Sequence, residues 1–115
     1  MNNNFKLYSY ILDFDNYINK YVVSSIPSIN RDIRIHLLDE IYNLEKSILY
    51  SVNTKGNIRM KHLIDCKVSI SLIDMLFTKI KDIKCINKNK LNTSVDKLTN
   101  VKNIVYGWIM NEEKT

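Results

Sequence analysis

One proline and two glycines in 115 residues leave this chain little with which to turn. A many-stranded sheet needs turn residues at every reversal, whereas long helices need few, so the expected class is all-α with short connections. The proline, Pro27, lies in "SSIPS". It has no amide hydrogen and pushes Ile26 out of the helical region, so one helix must stop there and another begin.

Apolar spacing places four helices in a single domain spanning residues 1–115, at about 5–24, 28–53, 58–84 and 94–111. In the first, Leu7, Tyr10, Ile11, Phe14, Tyr17, Ile18, Tyr21 and Val22 recur three and four apart, a helical period. The second carries Ile33, Leu37, Ile41, Leu44, Ile48 and Val52 on one side, with Asp39, Glu40, Glu45 and Lys46 on the other. "NTKGN" then breaks the chain, with Gly56 suited to the left-handed end of a helix and Asn57 to the cap of the next. Leu63, Ile64, Val68, Leu72, Met75, Leu76, Ile80 and Ile83 are the expected buried row of the third helix. "INKNKLNTS" reads as a loop, Thr93 or Ser94 as the cap of the fourth helix, and Val95, Leu98, Val101, Val105, Trp108 and Ile109 as its inner face. Four such helices on short loops predict an antiparallel up-down-up-down bundle.

Apolar residues at 45% and charged residues at 25% are a globular composition, and 115 residues suffice for one core. The beginning, "MNNNFKLYSYILDFDNY", has no basic region and is interrupted by Asp13 and Asp15, so neither a signal peptide nor a membrane span is expected. Cys66 and Cys85 lack the spacing of a disulfide framework and read as small buried hydrophobes in a reducing, cytoplasmic setting.

No catalytic or cofactor pattern emerges. His62 and Cys66 stand four apart on the third helix, but two ligands do not close a zinc site. His36 has no serine or cysteine motif to serve. The pairs Asp39 with Glu40 and Asp13 with Asp15 sit too close in sequence for their carboxylates to converge from a helix. Gly56 and Gly107 are isolated, so there is no phosphate loop. Tyr8, Tyr10, Phe14, Tyr17 and Tyr21 could stack bases, though at helical spacing such residues more often serve core and rim packing. No metal, cofactor or enzymatic activity is therefore expected.

Charge supplies the functional lead. Seventeen basic residues against twelve acidic ones give +5 and an isoelectric point near 9.2. Arg31 and Arg34 share a face; Lys55, Arg59, Lys61 and His62 gather at the third helix start; Lys79, Lys81, Lys84, Lys88 and Lys90 follow. Such clusters suit phosphates, or form the solvated face of a lysine-rich chain. The expected nucleic-acid contacts are Arg31, Arg34, Lys55, Arg59 and Lys61. Reversing Arg31, Arg34, Lys55 and Arg59 together is expected to abolish binding with the fold intact, and reversing Lys88, Lys90 and Lys97 to weaken it less.

"SSIPSINRDIR", "LLDEIYNLEKSILYSV", "IRMKHLIDCKVSISLIDML" and "LNTSVDKLTNVKNIVYGWI" together resemble the accessory variability determinant (Avd-like) proteins of diversity-generating retroelements. The likeness runs from about Tyr17 to Ile109. It is carried by Ser25, Ile26 and Pro27 at the first turn, a basic residue at Arg31 or Arg34, Arg59, and the final Gly107, Trp108 and Ile109. The resemblance implies a non-catalytic four-helix bundle assembling as a homopentamer. It also implies binding to the reverse transcriptase and its template RNA or cDNA in support of mutagenic retrohoming. A neighbouring likeness is to the bundles encoded by intervening sequences of ribosomal RNA genes, which carry an "NIAEG"-like segment where this chain has "YSVNTKGN". The alternative function is a structural or regulatory protein–protein bundle without nucleic acid.

Overall fold

The computed structural model describes residues 3–114, which form four long helices and no strand among the described residues. These are α1 (Asn3–Tyr17), α2 (Arg31–Val52), α3 (Gly56–Asp82) and α4 (Lys88–Glu113), packed into a body of 46 × 25 × 18 Å. α3 lies against both α2 and α4, α4 lies against α1, and α1 meets α2 only sparsely.

The first rod does not run as one regular helix to Ser24. After Tyr17 the backbone widens into a π turn over Ile18–Val22, then tightens into a 3-10 turn over Val23–Ser25. Phe14, Ile18, Val22 and Ile26 are all buried at an interval of four. A regular α-helix would rotate that series gradually off the core, and the wider turn keeps it facing inward. Ile26 and Pro27 are extended, as the proline demands, and a 3-10 turn over Ser28–Asn30 leads into α2.

The end of α2 is closed by side chains. Asn53 Nδ2 donates to the Leu49 carbonyl at 2.7 Å, Thr54 Oγ1 to that of Tyr50 at 2.7 Å, and Arg59 Nε to that of Ser51 at 2.9 Å. Side-chain donors thus reach three carbonyls of the last turn, two of which, Leu49 and Tyr50, also accept the Asn53 backbone amide at 3.2 Å. Gly56 follows at φ +60°, the left-handed conformation read from the sequence, but it opens α3 directly, with Lys55 in the cap position.

The inner face of α3 keeps Leu63, Leu76 and Ile80 of the expected row and differs from it between them. Leu63, Cys66, Ile70, Ile73, Phe77 and Ile80 are buried, with Ser69 and Leu76 beside them, while Ile64, Val68, Leu72 and Met75 face solvent. The buried row alternates spacings of three and four without a break, the pattern of a helix packed along its whole length. α3 has two neighbours, so its buried arc must be wide, and small residues at 66 and 69 let the backbones approach. Residue hydrophobicity alone does not separate the two rows.

α4 begins six residues before the expected cap. Asn87 is the cap, its side chain accepting from the Lys90 amide at 2.8 Å. Ser94, placed as a cap in the sequence reading, is fully buried, its hydroxyl donating to the Lys90 carbonyl at 2.8 Å, and Val95 is turned outward. Ser51 likewise takes the core position at the end of α2 in place of the half-buried Val52. Trp108 packs on the rim of the core rather than inside it.

Candidate nucleic-acid interface

The five expected contacts occupy two ends of the molecule. Arg31 and Arg34 begin α2, and Lys55, Arg59 and Lys61 lie beyond its other end. At 1.5 Å per residue the helix holds the two groups roughly 35 Å apart. Lys55, Arg59 and Lys61 lie at one end, Arg59 and Lys61 on different faces of α3 because they are two residues apart, and none shares a surface of one chain with Arg31 and Arg34.

Two of the five are engaged in the fold. Besides closing α2, Arg59 pairs with Glu112 at 3.1 Å, and its guanidinium lies 4.9 Å from the centre of the Trp108 ring. It fastens the end of α2 to the end of α4. Arg34 Nη2 donates to the Ile26 carbonyl at 3.4 Å, latching the proline corner, and its Nε is buried with no hydrogen-bond partner among the described residues. Reversing Arg34 and Arg59 would therefore disturb the corner and the cap, so the fourfold reversal does not test binding alone. Arg31, Lys55 and Lys61 remain exposed.

The larger electrostatic feature lies elsewhere. Residues 17–35 and 74–97, which include the proline corner, the end of α3 and the start of α4, carry nine of the seventeen basic residues and four of the twelve acidic ones. Asp13, which reaches this end through Lys97, makes five acidic residues there, so that end holds +4 of the formal excess of +5, and the rest of the chain carries eight basic and seven acidic residues. Several of these cations lie on aromatic faces or acids: Lys97 Nζ is 2.7 Å from Asp13, and the ammonium groups of Lys20 and Lys90 lie 5.3 and 5.6 Å from the Tyr21 ring.

Between the end of α3 and the start of α4 a cleft of about 690 Å³ opens at this basic end. Lys81, Lys84 and Lys88 line it, above an apolar floor that includes Phe77, Ile86 and Leu91. Asp74 also lines it. Lys84 closes α3 at φ 54°, the left-handed region that glycine ordinarily fills.

The other candidates are placed as follows. Phe14 is core, edge-on to Phe77 at 6.2 Å, so it cannot stack a base. Tyr17 and Tyr21 form a tilted pair at 4.8 Å on the basic end, whereas Tyr8 lines a separate groove with Tyr42 between α1 and α2. His62 stacks on Tyr50 at 4.7 Å and turns toward Asp65, while Cys66 points inward with its sulfur 4.0 Å from Ser51 Oγ, so the two do not converge. Burial pushes the Cys66 thiol up to about 12, which keeps it protonated and unreactive. Among the described residues no group of three or more His, Cys, Asp or Glu could hold a metal, and no helix is long and apolar enough to cross a membrane.

The sequence signal for the basic end was present in "KIKDIKCINKNK", but only the topology brings its Lys90 to the Tyr21 ring that Lys20 also faces. No protein-family model, curated protein or solved structure matches the chain.

Proposed function

We propose that the chain is a non-catalytic, cytoplasmic nucleic-acid-binding bundle of the Avd type, an accessory to a retroelement reverse transcriptase and its template RNA or cDNA. The observation that carries this reading is the concentration of most of the positive excess at one end of the molecule. A solvated lysine-rich surface gives no reason for such segregation, whereas a phosphate-binding face requires it. Arg31 belongs to this end, and Lys55 and Lys61 offer secondary contacts at the other.

The reading includes antiparallel up-down-up-down topology. Supporting it, Arg59 at the start of α3 touches both Ser51 at the end of α2 and Glu112 at the end of α4, and Lys97 early in α4 reaches Asp13 late in α1. It also includes self-assembly, five chains by the resemblance. The exposed row Ile64, Val68, Leu72 and Met75 on α3 supports an interface there, since a monomer gains nothing by leaving four aligned apolar residues in water.

That same row favours the second reading, a purely structural or regulatory protein–protein bundle. The deciding experiment is fluorescence anisotropy of labelled RNA and DNA oligonucleotides over a salt series, alongside light scattering at micromolar protein. The accessory reading expects a homo-oligomer whose affinity falls linearly in log–log against salt. A homo-oligomer that binds neither oligonucleotide leaves the protein–protein reading in its place.

A further inference from the structure

We infer that the cleft between α3 and α4 is a binding site for single-stranded nucleic acid, with an unpaired base over the apolar floor and flanking phosphates on Lys81, Lys84 and Lys88. This rests on the nucleic-acid reading above and assigns it a place and a class of ligand.

Three observations converge. Unlike Arg59 and Lys97, none of these three lysines makes an ion pair among the described residues, and none sits over an aromatic ring. Their charges are available, and they stand at the end that holds most of the chain's net charge. Next, the volume of about 690 Å³ lies within the range of about 300–1,000 Å³ usual for small-ligand pockets, enough for a nucleotide unit. Last, the lining is mixed in character: three lysines share it with half-buried Ile86 and Leu91, Asn92 and Thr78, against a single carboxylate, Asp74. A duplex presents phosphates and base edges to a protein and keeps its base faces stacked, so an apolar floor adds nothing to its binding. A single strand can turn a base face onto that floor while its backbone follows the cations. The combination therefore selects strands with unpaired bases.

The test uses the intact protein with a labelled single-stranded 12-mer RNA, the same strand as DNA, and a blunt duplex of equal length. The expected result is at least tenfold tighter binding of the single strands than of the duplex. Three single-strand phosphate contacts give a log–log salt slope of about −2, or roughly a 20-fold loss of affinity between 50 and 200 mM salt. The variant K81E/K84E/K88E alters only exposed side chains. It should lower single-strand affinity at least tenfold and bring the slope close to zero, with unchanged circular dichroism. Replacing Val95, which also lines the cleft and is itself exposed, by glutamine should narrow the single-strand preference several-fold without moving duplex affinity.

If the triple variant keeps its affinity and slope while K55E/K61E loses both, the cleft is overturned as the site and the nucleic-acid reading survives at the other end. Equal affinity of the wild type for single strand and duplex overturns the proposed ligand class. No binding of any of the three probes by the wild type removes both the inference and the reading it rests on.

Discussion

Replacing Arg59 by methionine separates an architectural arginine from a phosphate ligand. Methionine keeps the aliphatic bulk beside Trp108 and removes the guanidinium. The charged donor to the Ser51 carbonyl at 2.9 Å is worth about 1.5 kcal/mol or more where the group is shielded, as here. The pair with Glu112 has side chains only 21% and 17% exposed, so it stands near the upper end of the surface range of about 0–1 kcal/mol. The guanidinium 4.9 Å from the Trp108 centroid adds about 0.5–1 kcal/mol. These effects share one side chain and do not add fully, so a loss of about 2–3 kcal/mol is expected. At about 4 °C or more per kcal/mol for a domain of this size, the melting temperature should fall by roughly 8–12 °C. Urea unfolding followed by far-ultraviolet circular dichroism gives the free energy, and Trp108 emission, the signal of the only tryptophan, gives the local change. Arg59→Lys should recover little, because an ammonium cannot reach a carbonyl, a carboxylate and a ring face together. A loss under about 0.5 kcal/mol with wild-type emission would refute the clamp and return Arg59 to the nucleic-acid surface.

The α1–α2 seam predicts a pH dependence. Burial, then a hydrogen bond to the Asp15 side chain and the Asp15 charge, raise Glu45 from 4.5 to about 7. The native state thus holds a proton that the unfolded chain has released between those values, and stability falls as pH rises through that window. Glu45 is partly exposed, so the contribution is discounted to about 1 kcal/mol. Glu45→Gln should be more stable than wild type at pH 8 and flatten the profile between pH 4.5 and 7 in urea titrations. On α3, Ile70→Ala should cost about 2–5 kcal/mol and Val68→Ala under about 0.5 kcal/mol in a protein diluted to monomer, where equal costs would contradict the assigned inner face. Lys84→Gly should stabilise by up to about 1 kcal/mol by relieving the left-handed residue, whereas Gly56→Ala at φ +60° should cost about 1–2 kcal/mol though nothing crowds an added methyl. Both are read from thermal melts.

Local physics made much of this protein legible in its sequence. Scarce turn residues, the stop at Pro27 and the one-sided row from Ile33 to Ile48 determined an all-helical chain, the corner, and the buried face of α2, because each depends on neighbours within a few residues. The sequence likewise located Gly56 at a left-handed turn. What depends on neighbours in space was decided only by the tertiary structure. Of the two apolar rows on α3, packing against α2 and α4 buried the one with small residues at 66 and 69, and neither row is distinguished by hydrophobicity. Ser51 and Ser94 entered the core because each hydroxyl bonds a carbonyl one turn back, which leaves the side chain as compact as an apolar one. The candidate site was least legible. A cation's availability depends on what stands opposite it, and Arg59 and Arg34 found partners at the far end of α4 and across the corner, while Lys81, Lys84 and Lys88 were left at the rim of a cleft. Sequence counts charges along a line; the fold decides which of them meet a partner and which meet solvent.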